Sequence, residues 1–245
     1  MLSPDDSKDP YYAFHGWAGI EGLEENDTPN ASTIWTLKSG SVLTENSPIK
    51  EAESPYGNTK IVGEQIIKDC CKTSPSLQAI SLRYFNPVGA HKSANIGEIP
   101  SGVPQNLVPF ITQTAIGVRE NLSVFGNDYD TPDGTCVRDY IHVVDLARAH
   151  VFAIKRLLEK KNRASPEVFN IGTGKGASVL EVIKAFEGVS GIKLNYVFKD
   201  RRPGDVVCAF ADTNKANNVL GWKSELSLKE ALASAWKWEK KFRGK

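Results

Sequence analysis

The sequence lacks a long apolar run and an excess of charge of one sign. No stretch of the 245 residues approaches the ~18 apolar residues of a membrane-spanning helix, and the acidic N-terminal segment lacks the apolar core of a secretion signal. The 30 basic and 29 acidic residues give a formal net charge of +1, which argues against a broad surface for nucleic acid or anionic membranes. We therefore expect a cytoplasmic protein that binds neither nucleic acid nor membrane.

The sequence also has few cysteines and histidines, four of each. Cys70 and Cys71 are adjacent and no C-x-x-C spacing occurs, a pattern typical of reduced core thiols rather than of a disulfide framework or a zinc site. The histidines show no spacing typical of metal ligands. The sequence therefore predicts no metal site.

The first third of the chain predicts part of a parallel sheet. Residues 1–30 carry scattered prolines and no sustained hydrophobic period, which indicates an irregular arm. A short strand at 31–35, a helix capped by Ser54 with Pro55 at its first position, and a buried apolar strand at 77–85 form a strand–helix–strand unit. We expect an α/β fold with a doubly wound parallel sheet. The apolar residues that recur on one side of the helix are Ile61, Val62, Ile66, Ile67 and Cys70.

The rest of the chain alternates loops, strands and helices. Residues 86–135 are rich in Gly, Pro and Asn, and long loops of this composition are typical of ligand-binding segments. They enclose an apolar helix near 107–118 and a strand at 122–126. A helix follows near Asp145, and its apolar residues at the 3.6-residue period are Ala147, Val151, Ile154 and Leu158. Capping-box patterns open the last two helices, at Ser178 with Glu181 and at Ser227 with Glu230.

A tyrosine and a lysine lie four residues apart at the start of the first helix. This spacing places Tyr56 and Lys60 on one helix face, roughly 6 Å apart at Cβ. An ammonium beside a phenol favours the phenolate and lowers the tyrosine pKa, so the pair predicts a general base. An exposed polar helix start gives the same spacing, and the pair alone does not decide between the two interpretations.

A glycine-rich turn lies between a predicted strand and a predicted helix. Gly172, Gly174 and Ala177 spell G-x-G-x-x-A, the pattern of a dinucleotide-binding turn. The first acidic residue in a suitable following strand, Asp200, lies too far along the chain for the ribose of a dinucleotide. We predict that this turn is structural.

Four segments follow the Tyr-Lys pair in order: SLRYFNPVGAH (81–91), VFGNDYDTPDGTCVRDYIHVVDLARAH (124–150), VFNIGTG (168–174) and RRPGD (201–205). Together with the pair, they resemble the extended short-chain dehydrogenase/reductase family and, within it, the UDP-glucose 4-epimerase branch. The resemblance covers roughly residues 31–245, and the run GNDYDTPDGTCVRDYIHVVDLA is specific to the epimerase branch.

The resemblance implies an NAD-dependent isomerase that interconverts UDP-glucose and UDP-galactose through a transient 4-keto sugar. Tyr56 then takes the proton from the sugar 4-hydroxyl while the hydride passes to NAD, and Lys60 also holds the nicotinamide ribose. Tyr84 and Phe85 match the residues that lie beside the nicotinamide.

The resemblance also implies the residues that bind the nucleotide sugar. Arg138 and Arg202 match two arginines on the pyrophosphate, and Asp205 matches a carboxylate on a ribose hydroxyl. A near-neutral protein needs such planar, bidentate cations to bind a diphosphate locally. Matches to the other substrate contacts are Asn86 at the phosphates, Asn106 and Leu107 in a second substrate loop, and Ser123, Val124 and Phe125 in the strand that reads uracil.

Ala209 matches a position that controls the size of the sugar pocket. Family members with tyrosine there have a narrow pocket, and a small residue leaves space for a 2-acetamido group. We therefore expect UDP-N-acetylhexosamines to bind as well as UDP-glucose.

The same resemblance implies a domain division and a homodimer. Residues 31–85 match the terminal portion of a Rossmann domain for NAD. Residues 86–245 match mainly a smaller, C-terminal nucleotide-sugar lobe, with 140–175 partly returning to the Rossmann sheet. The dimer is expected to form through the helix that carries Tyr56 and Lys60.

The sequence departs from the family in two places. The family motif Ser-Ala-Thr aligns without a gap on Ala31-Ser32-Thr33, so alanine replaces the catalytic serine, and Ser32 faces the other side of the strand. Residues 1–30 supply no strand and Gly-rich turn for the NAD pyrophosphate. We expect the chain alone to bind NAD weakly and to lack activity. The missing half of the NAD-binding domain is then either lost or supplied by another chain.

Two alternatives stay open at this stage. One is a non-catalytic remnant that binds a UDP-sugar or dimerises. The other is a nucleotide-sugar 4,6-dehydratase, which is disfavoured because that reaction needs an acid pair directly after the threonine, where Ile34 and Trp35 stand.

Overall fold

The computed structural model describes residues 42–49, 55–202 and 205–245. The predicted arm at 1–30, the strand at 31–35 and the cap at Ser54 lie outside these residues. The strands are β1 (Val42–Leu43), β2 (Ile80–Tyr84), β3 (Asn86–Val88), β4 (Leu122–Phe125), β5 (Val137–Arg138), β6 (Tyr140–His142), β7 (Glu167–Ile171), β8 (Ala177–Ser178), β9 (Tyr196–Lys199) and β10 (Cys208–Ala211). The helices are α1 (Pro55–Thr73), α2 (Leu107–Ala115), α3 (Val143–Leu158), α4 (Val179–Ser190) and α5 (Leu228–Phe242), with a π-helical turn at Ala216–Leu220.

Parallel pairing dominates the sheets of the described chain. One four-stranded sheet has the order β1-β10-β5-β8, in which β8 alone runs antiparallel to its neighbour. Three further parallel pairs are β2 with β7, β3 with β6, and β4 with β9. Parallel partners far apart in sequence need crossover segments, which the helices provide, so the α/β class is confirmed.

The first helix begins where the sequence predicts. Proline is well suited to the first helical position because its missing N–H has no partner there, and α1 starts at Pro55. Its buried residues are Gly57 and Cys71, however, while Val62 and Ile66 are 47% and 57% exposed. The apolar stripe of α1 is therefore largely uncovered within the described chain.

Strand β2 is less buried than its apolar sequence predicts. All five of its residues are half-buried, and it pairs with β7. The prediction of a buried strand was wrong because an apolar run does not specify how completely neighbouring layers cover the strand.

The third helix turns a different stripe toward the sheet than the sequence pattern indicates. Val151, Ile154 and Leu158 are 63%, 58% and 78% exposed, whereas the apolar residues that α3 buries are Leu146, Ala149 and Ala153. The reason lies in the first turn, where the buried Asp145 carboxylate accepts hydrogen bonds from the backbone N–H groups of Glu225 and Leu226. These distant partners set the rotation of the helix.

The caps of the last two helices form as predicted. Ser178 accepts from the Glu181 N–H while the Glu181 carboxylate accepts from the Ser178 N–H. Ser227 and Glu230 repeat this arrangement at α5. Both capping boxes are confirmed.

Three apolar clusters hold the described chain together. The first lies among α2, β4, α4 and α5, and its largest fully buried members include Phe186, Ile111 and Leu232. The second lies between α3 and strands β6 and β7, around Phe169 and Trp222. The third cluster is small and consists of Leu43, Phe85, Ala209 and Ala211.

Candidate active site

The Tyr-Lys pair forms a close contact on α1. Lys60 Nζ lies over the Tyr56 ring, 4.7 Å from its centroid. Burial, with a smaller contribution from Tyr84, raises the pKa of the Tyr56 phenol well above its ordinary value. The sequence-based expectation of a lowered phenol pKa is therefore wrong, because the loss of hydration outweighs the nearby ammonium.

The lysine of the pair responds to the same environment. Burial lowers the pKa of Lys60 to about 8, since removing an ammonium from water disfavours its charged form. Burial also raises the pKa of Tyr84 to about 12. The two phenols and the ammonium thus share poorly hydrated surroundings at the end of β2, and ligands bind at the carboxyl ends of strands in open parallel sheets.

Phe85 links this pocket to the neighbouring strands. It follows β2 directly, and its N–H donates to the Ile171 carbonyl at 3.1 Å. Its side chain belongs to the third cluster, where it packs with Leu43, Ala209 and Ala211. Ala209 is 1% exposed, so a larger side chain at this position must displace one of these neighbours.

Arg138 lies on the adjacent strand, directly opposite Ala209. Its guanidinium is buried; Nη2 contacts Asp205 Oδ1 at 3.1 Å and Nη1 donates to the Val206 carbonyl at 2.7 Å. The fold thus pairs Arg138 with Asp205, 67 residues along the chain, rather than with the adjacent Asp139. The fold therefore brings together two of the predicted substrate residues, Arg138 and Asp205.

Arg202 lies near enough to Asp205 to interact with its charge. Its Cζ lies 3.8 Å from the centroid of the Phe125 ring. Burial lowers the pKa of the Arg202 guanidinium, and Asp205 opposes that shift. Arg138 therefore contacts the Asp205 carboxylate directly, while Arg202 interacts with its charge and stacks on the ring at the end of β4.

The remaining predicted substrate residues lie at three places in the fold, namely the start of β3, strand β4 and the start of α2. Asn86 begins β3, and its N–H donates to the Asp139 carbonyl at 3.0 Å, next to Arg138. In β4 the buried Val124 faces the core, so Ser123 and Phe125 face the opposite side. Asn106 and Leu107 lie at the start of α2, where the Asn106 amide donates to Glu98 at 2.8 Å and Leu107 packs against the first cluster.

Asp139 is a residue that the sequence reasoning missed. Its carboxylate is fully buried and accepts from the N–H groups of Thr173, Gly174 and Ala211 at 2.8, 3.0 and 3.2 Å, and from the Thr173 hydroxyl at 2.6 Å. The G-x-G turn therefore wraps a carboxylate of the chain itself, which confirms that the turn is structural. The available signal was an acidic residue between apolar strands, paired with a turn whose N–H groups need an acceptor.

The described ranges contain neither a group of metal-ligating side chains nor a helix that could cross a membrane. No group of three or more His, Cys, Asp or Glu side chains in them could hold a metal ion. No helix in them is long and apolar enough to cross a membrane.

With this geometry in hand, comparison with known proteins identifies the family. Residues 36–235 match the family described as GDP-mannose 4,6 dehydratase. The chain belongs to this family. The dehydratase-family chain is similar to UDP-glucose 4-epimerase of Bacillus subtilis, at 49% identity over 218 residues, which covers 89% of the chain and 63% of the relative. It is 50% identical to the Drosophila melanogaster UDP-glucose 4-epimerase, covering 90% of the chain and 64% of the relative.

A solved structure agrees with these relatives. The crystal structure of UDP-glucose 4-epimerase from Bifidobacterium longum in complex with NAD+ and UDP superposes with a TM-score of 0.81 at 45% identity, covering 86% of this chain and 62% of that one. The resemblance to epimerases and the partial Rossmann-type fold are thereby confirmed. The chain spans under two thirds of the length of these relatives, and the family name alone does not specify the reaction.

Proposed function

We propose that this chain carries the nucleotide-sugar site and the Tyr-Lys pair of a UDP-glucose 4-epimerase. The observation that supports this is a continuous series of contacts among the candidate residues. Tyr56 and Lys60 lie beside Tyr84, which is followed by Phe85. Phe85 packs with Ala209, and Ala209 lies opposite Arg138. Arg138 contacts Asp205, whose charge acts on Arg202, and Arg202 stacks on Phe125.

This order suits a molecule with uracil at one end and a sugar at the other. Strand β4, which ends at Phe125, binds the base. Arg138 and Arg202 bind the pyrophosphate, and Asn86 lies near them. Asp205 holds the arginines and bonds a ribose hydroxyl. The sugar of UDP-glucose or UDP-galactose then lies near Ala209 and Tyr56, with Asn106 and Leu107 bordering the site.

The Tyr-Lys pair acts on the sugar 4-hydroxyl. Because burial raises its pKa, Tyr56 is a neutral phenol near neutral pH, and it becomes a base only when the positive charge beside it increases. Lys60, with a pKa of about 8, is mostly protonated near neutral pH and supplies part of that charge. NAD, held beside this pair, would supply the acceptor and donor of the hydride at the sugar carbon.

The donor set fits the nicotinamide end of NAD. The Lys60 ammonium and the Tyr56 hydroxyl suit ribose hydroxyls, and Tyr84 and Phe85 offer rings beside them. The G-x-G turn at Gly172 and Gly174 does not serve the pyrophosphate, because Asp139 already accepts its N–H groups. We therefore expect the purified chain to bind UDP but to retain NAD weakly and to show no epimerisation; recovery of stoichiometric NAD would contradict this.

The test of the nucleotide site uses the chain itself. Isothermal titration with UDP is expected to detect binding, and Arg202→Gln is expected to weaken it about tenfold or more, because charge-assisted hydrogen bonds are lost. Arg163→Gln, an exposed arginine after α3, is the matched control and should change nothing. Absence of UDP binding by the wild-type chain would overturn the proposal. A non-catalytic UDP-sugar-binding protein shares this result. The two differ when the chain is joined to the NAD-binding half of an epimerase: Tyr56→Phe should then nearly abolish turnover if this chain is catalytic, whereas a non-catalytic chain shows no turnover to lose.

The size of residue 209 supports a wider substrate range. Alanine at this position offers less bulk than tyrosine, so we propose that UDP-N-acetylhexosamines bind alongside UDP-glucose.

We also propose a homodimer formed through α1. The exposed Val62 and Ile66 support it, since uncovered apolar side chains on one helix face favour association. Sedimentation velocity should give a dimer that Ile66→Glu dissociates. Ile154→Glu, equally exposed on α3, is the control and should leave the dimer intact. A monomeric wild-type chain would contradict this.

The domain division and the location complete the proposal. The first cluster supports a separate substrate lobe, because it forms an apolar core of its own. The second cluster is built from β6, α3 and β7, and it supports the assignment of residues 140–175 to the Rossmann sheet. All four cysteines are free thiols, which supports a cytoplasmic location.

A further inference from the structure

Two consecutive arginines after β9 stack on two aromatic residues, one at the end of β4 and one in the loop that follows it. Arg202 stacks on Phe125, while the Cζ of Arg201 lies 4.2 Å from the centroid of the Tyr129 ring. Arg201 also donates from Nε to Asp128 Oδ1 at 2.8 Å and from Nη2 to the Asp128 carbonyl at 2.7 Å. Phe125 is the last residue of β4 and Tyr129 lies in the loop that follows it, so the arginines join the ends of the paired strands β4 and β9.

The contact of Arg201 is built closely into the loop. The N–H of Gly126 donates to the Lys199 carbonyl at 2.8 Å and continues the β4–β9 pairing. Gly126 has a φ of +76°, and a Cβ there would collide with the Tyr129 ring and approach Arg201 Cγ at 3.1 Å, so only glycine allows this approach. Tyr129 itself is 5% exposed and provides a fixed surface for the guanidinium.

We propose that Arg201 is a positioning residue for Arg202. Arg201 is anchored by Asp128 and Tyr129, and this anchor holds the backbone so that the neighbouring Arg202 stays on Phe125 with its guanidinium toward a nucleotide diphosphate. The inference rests on the proposed UDP site. Fixing the arginine before the ligand arrives lowers the conformational entropy that binding must remove.

Arg201 acts through Arg202 because two of its own donors are committed to Asp128. The Arg201 and Asp128 side chains are 47% and 67% exposed, so they form a surface ion pair. Such pairs have small effects, and we expect changes of about three- to tenfold in the dissociation constant of UDP rather than complete loss.

Removal of Asp128 separates positioning from simple charge effects. By electrostatics alone, Asp128→Ala removes a negative charge near a diphosphate and should tighten UDP binding. Loss of the anchor predicts the opposite, namely weaker UDP binding by about three- to tenfold. Asp130→Ala, an exposed acid two residues away, is the matched control and should leave binding unchanged or slightly tighter.

The experiment measures UDP by calorimetry and uridine by ligand-observed NMR for wild type, Arg201→Ala, Asp128→Ala, the double variant and the control. We expect both single variants to weaken UDP but not uridine, which has no phosphate, and the double variant to be no worse than the weaker single. Equal loss of uridine and UDP would indicate collapse of the loop and overturn the inference, as would unchanged or tighter UDP binding by Asp128→Ala. If wild type binds UDP and the variants match it, this inference alone fails; if wild type does not bind UDP, the proposed function fails and the inference with it.

Discussion

Arg138 and Ala209 lie directly opposite each other in the parallel strands β5 and β10. The Asp139 N–H donates to the Ala209 carbonyl at 3.1 Å, so the strand that carries the cation is hydrogen-bonded to the strand that carries the small side chain. A proposed pyrophosphate contact and a proposed determinant of sugar size thus belong to one rigid ladder. Their separation cannot change without breaking backbone hydrogen bonds.

Replacement of Ala209 by tyrosine should alter sugar preference. We expect Ala209→Tyr to weaken UDP-N-acetylglucosamine more than UDP-glucose, because the phenol displaces its neighbours in the third cluster and narrows the space for the acetamido group. Calorimetric titration of both ligands gives the ratio of their dissociation constants. Ala211→Tyr crowds the same cluster and controls for overpacking, which costs about 1–3 kcal/mol. Equal ratios in Ala209→Tyr and wild type would exclude Ala209 as the determinant.

Lys60 should make stability rise with pH in a defined window. Its folded-state pKa of about 8 lies below the ordinary value of 10.5, so between these values the unfolded chain binds more protons and stability increases with pH. Tyr56, whose folded pKa is raised, opposes this only above about pH 10. Thermal melts from pH 7 to 9.5 should therefore show wild type gaining stability relative to Lys60→Met. Lys68→Met, an exposed lysine on the same helix, should run parallel to wild type; parallel curves for Lys60→Met would refute the effect.

His142 should make the protein less stable in mild acid. Its Nδ1 accepts from the Val144 N–H at 3.0 Å and caps α3, so Nε2 carries the proton and lies 3.3 Å from the Ser234 hydroxyl. Burial lowers the His142 pKa, although Asp145 and Glu230 oppose the shift. The unfolded histidine is protonated more readily, so stability is lost as pH falls below about 6.5.

The variant that isolates this contribution is His142→Asn. Asparagine is a good helix cap and does not titrate in this range. Chemical denaturation at pH 7.5 and 5.5 should show a smaller stability loss for the variant than for wild type. An identical loss in both proteins would assign the acid sensitivity to other groups.

Removal of the Asp139 charge should destabilise the junction of three strands. In Asp139→Asn an amide NH2 replaces one acceptor oxygen and faces backbone N–H donors, which leaves buried donors without partners at about 1–3 kcal/mol each. We expect a loss of about 2–4 kcal/mol in the free energy of unfolding, measured by denaturant titration. Asp130→Asn, on the exposed loop, should change it by less than about 0.5 kcal/mol. Comparable stabilities of the two variants would show that the carboxylate is dispensable.

Several features of the fold and site could be predicted from the sequence because their causes are local. Pro55 begins α1, and the Ser178 and Ser227 boxes cap α4 and α5, since each depends on residues within one helical turn. The order of the motifs likewise predicted the resemblance to epimerases, because each motif consists of residues that are consecutive in the sequence. The placement of Tyr56 and Lys60 on one face followed from helix geometry alone.

Other features depended on groups far apart in the chain. Both apolar stripes of α3 fit a helix, and the N–H groups of Glu225 and Leu226, some 80 residues from Asp145, select the buried one. The pKa of Tyr56 rises because tertiary packing removes water from the phenol, a cost that the position of Lys60 in the sequence does not reveal. Arg138 pairs with Asp205 rather than with an acidic residue closer in sequence. The sequence determined which chemical groups are present and how they are ordered, while the tertiary structure decided their hydration and partners, because both depend on segments that meet only after folding.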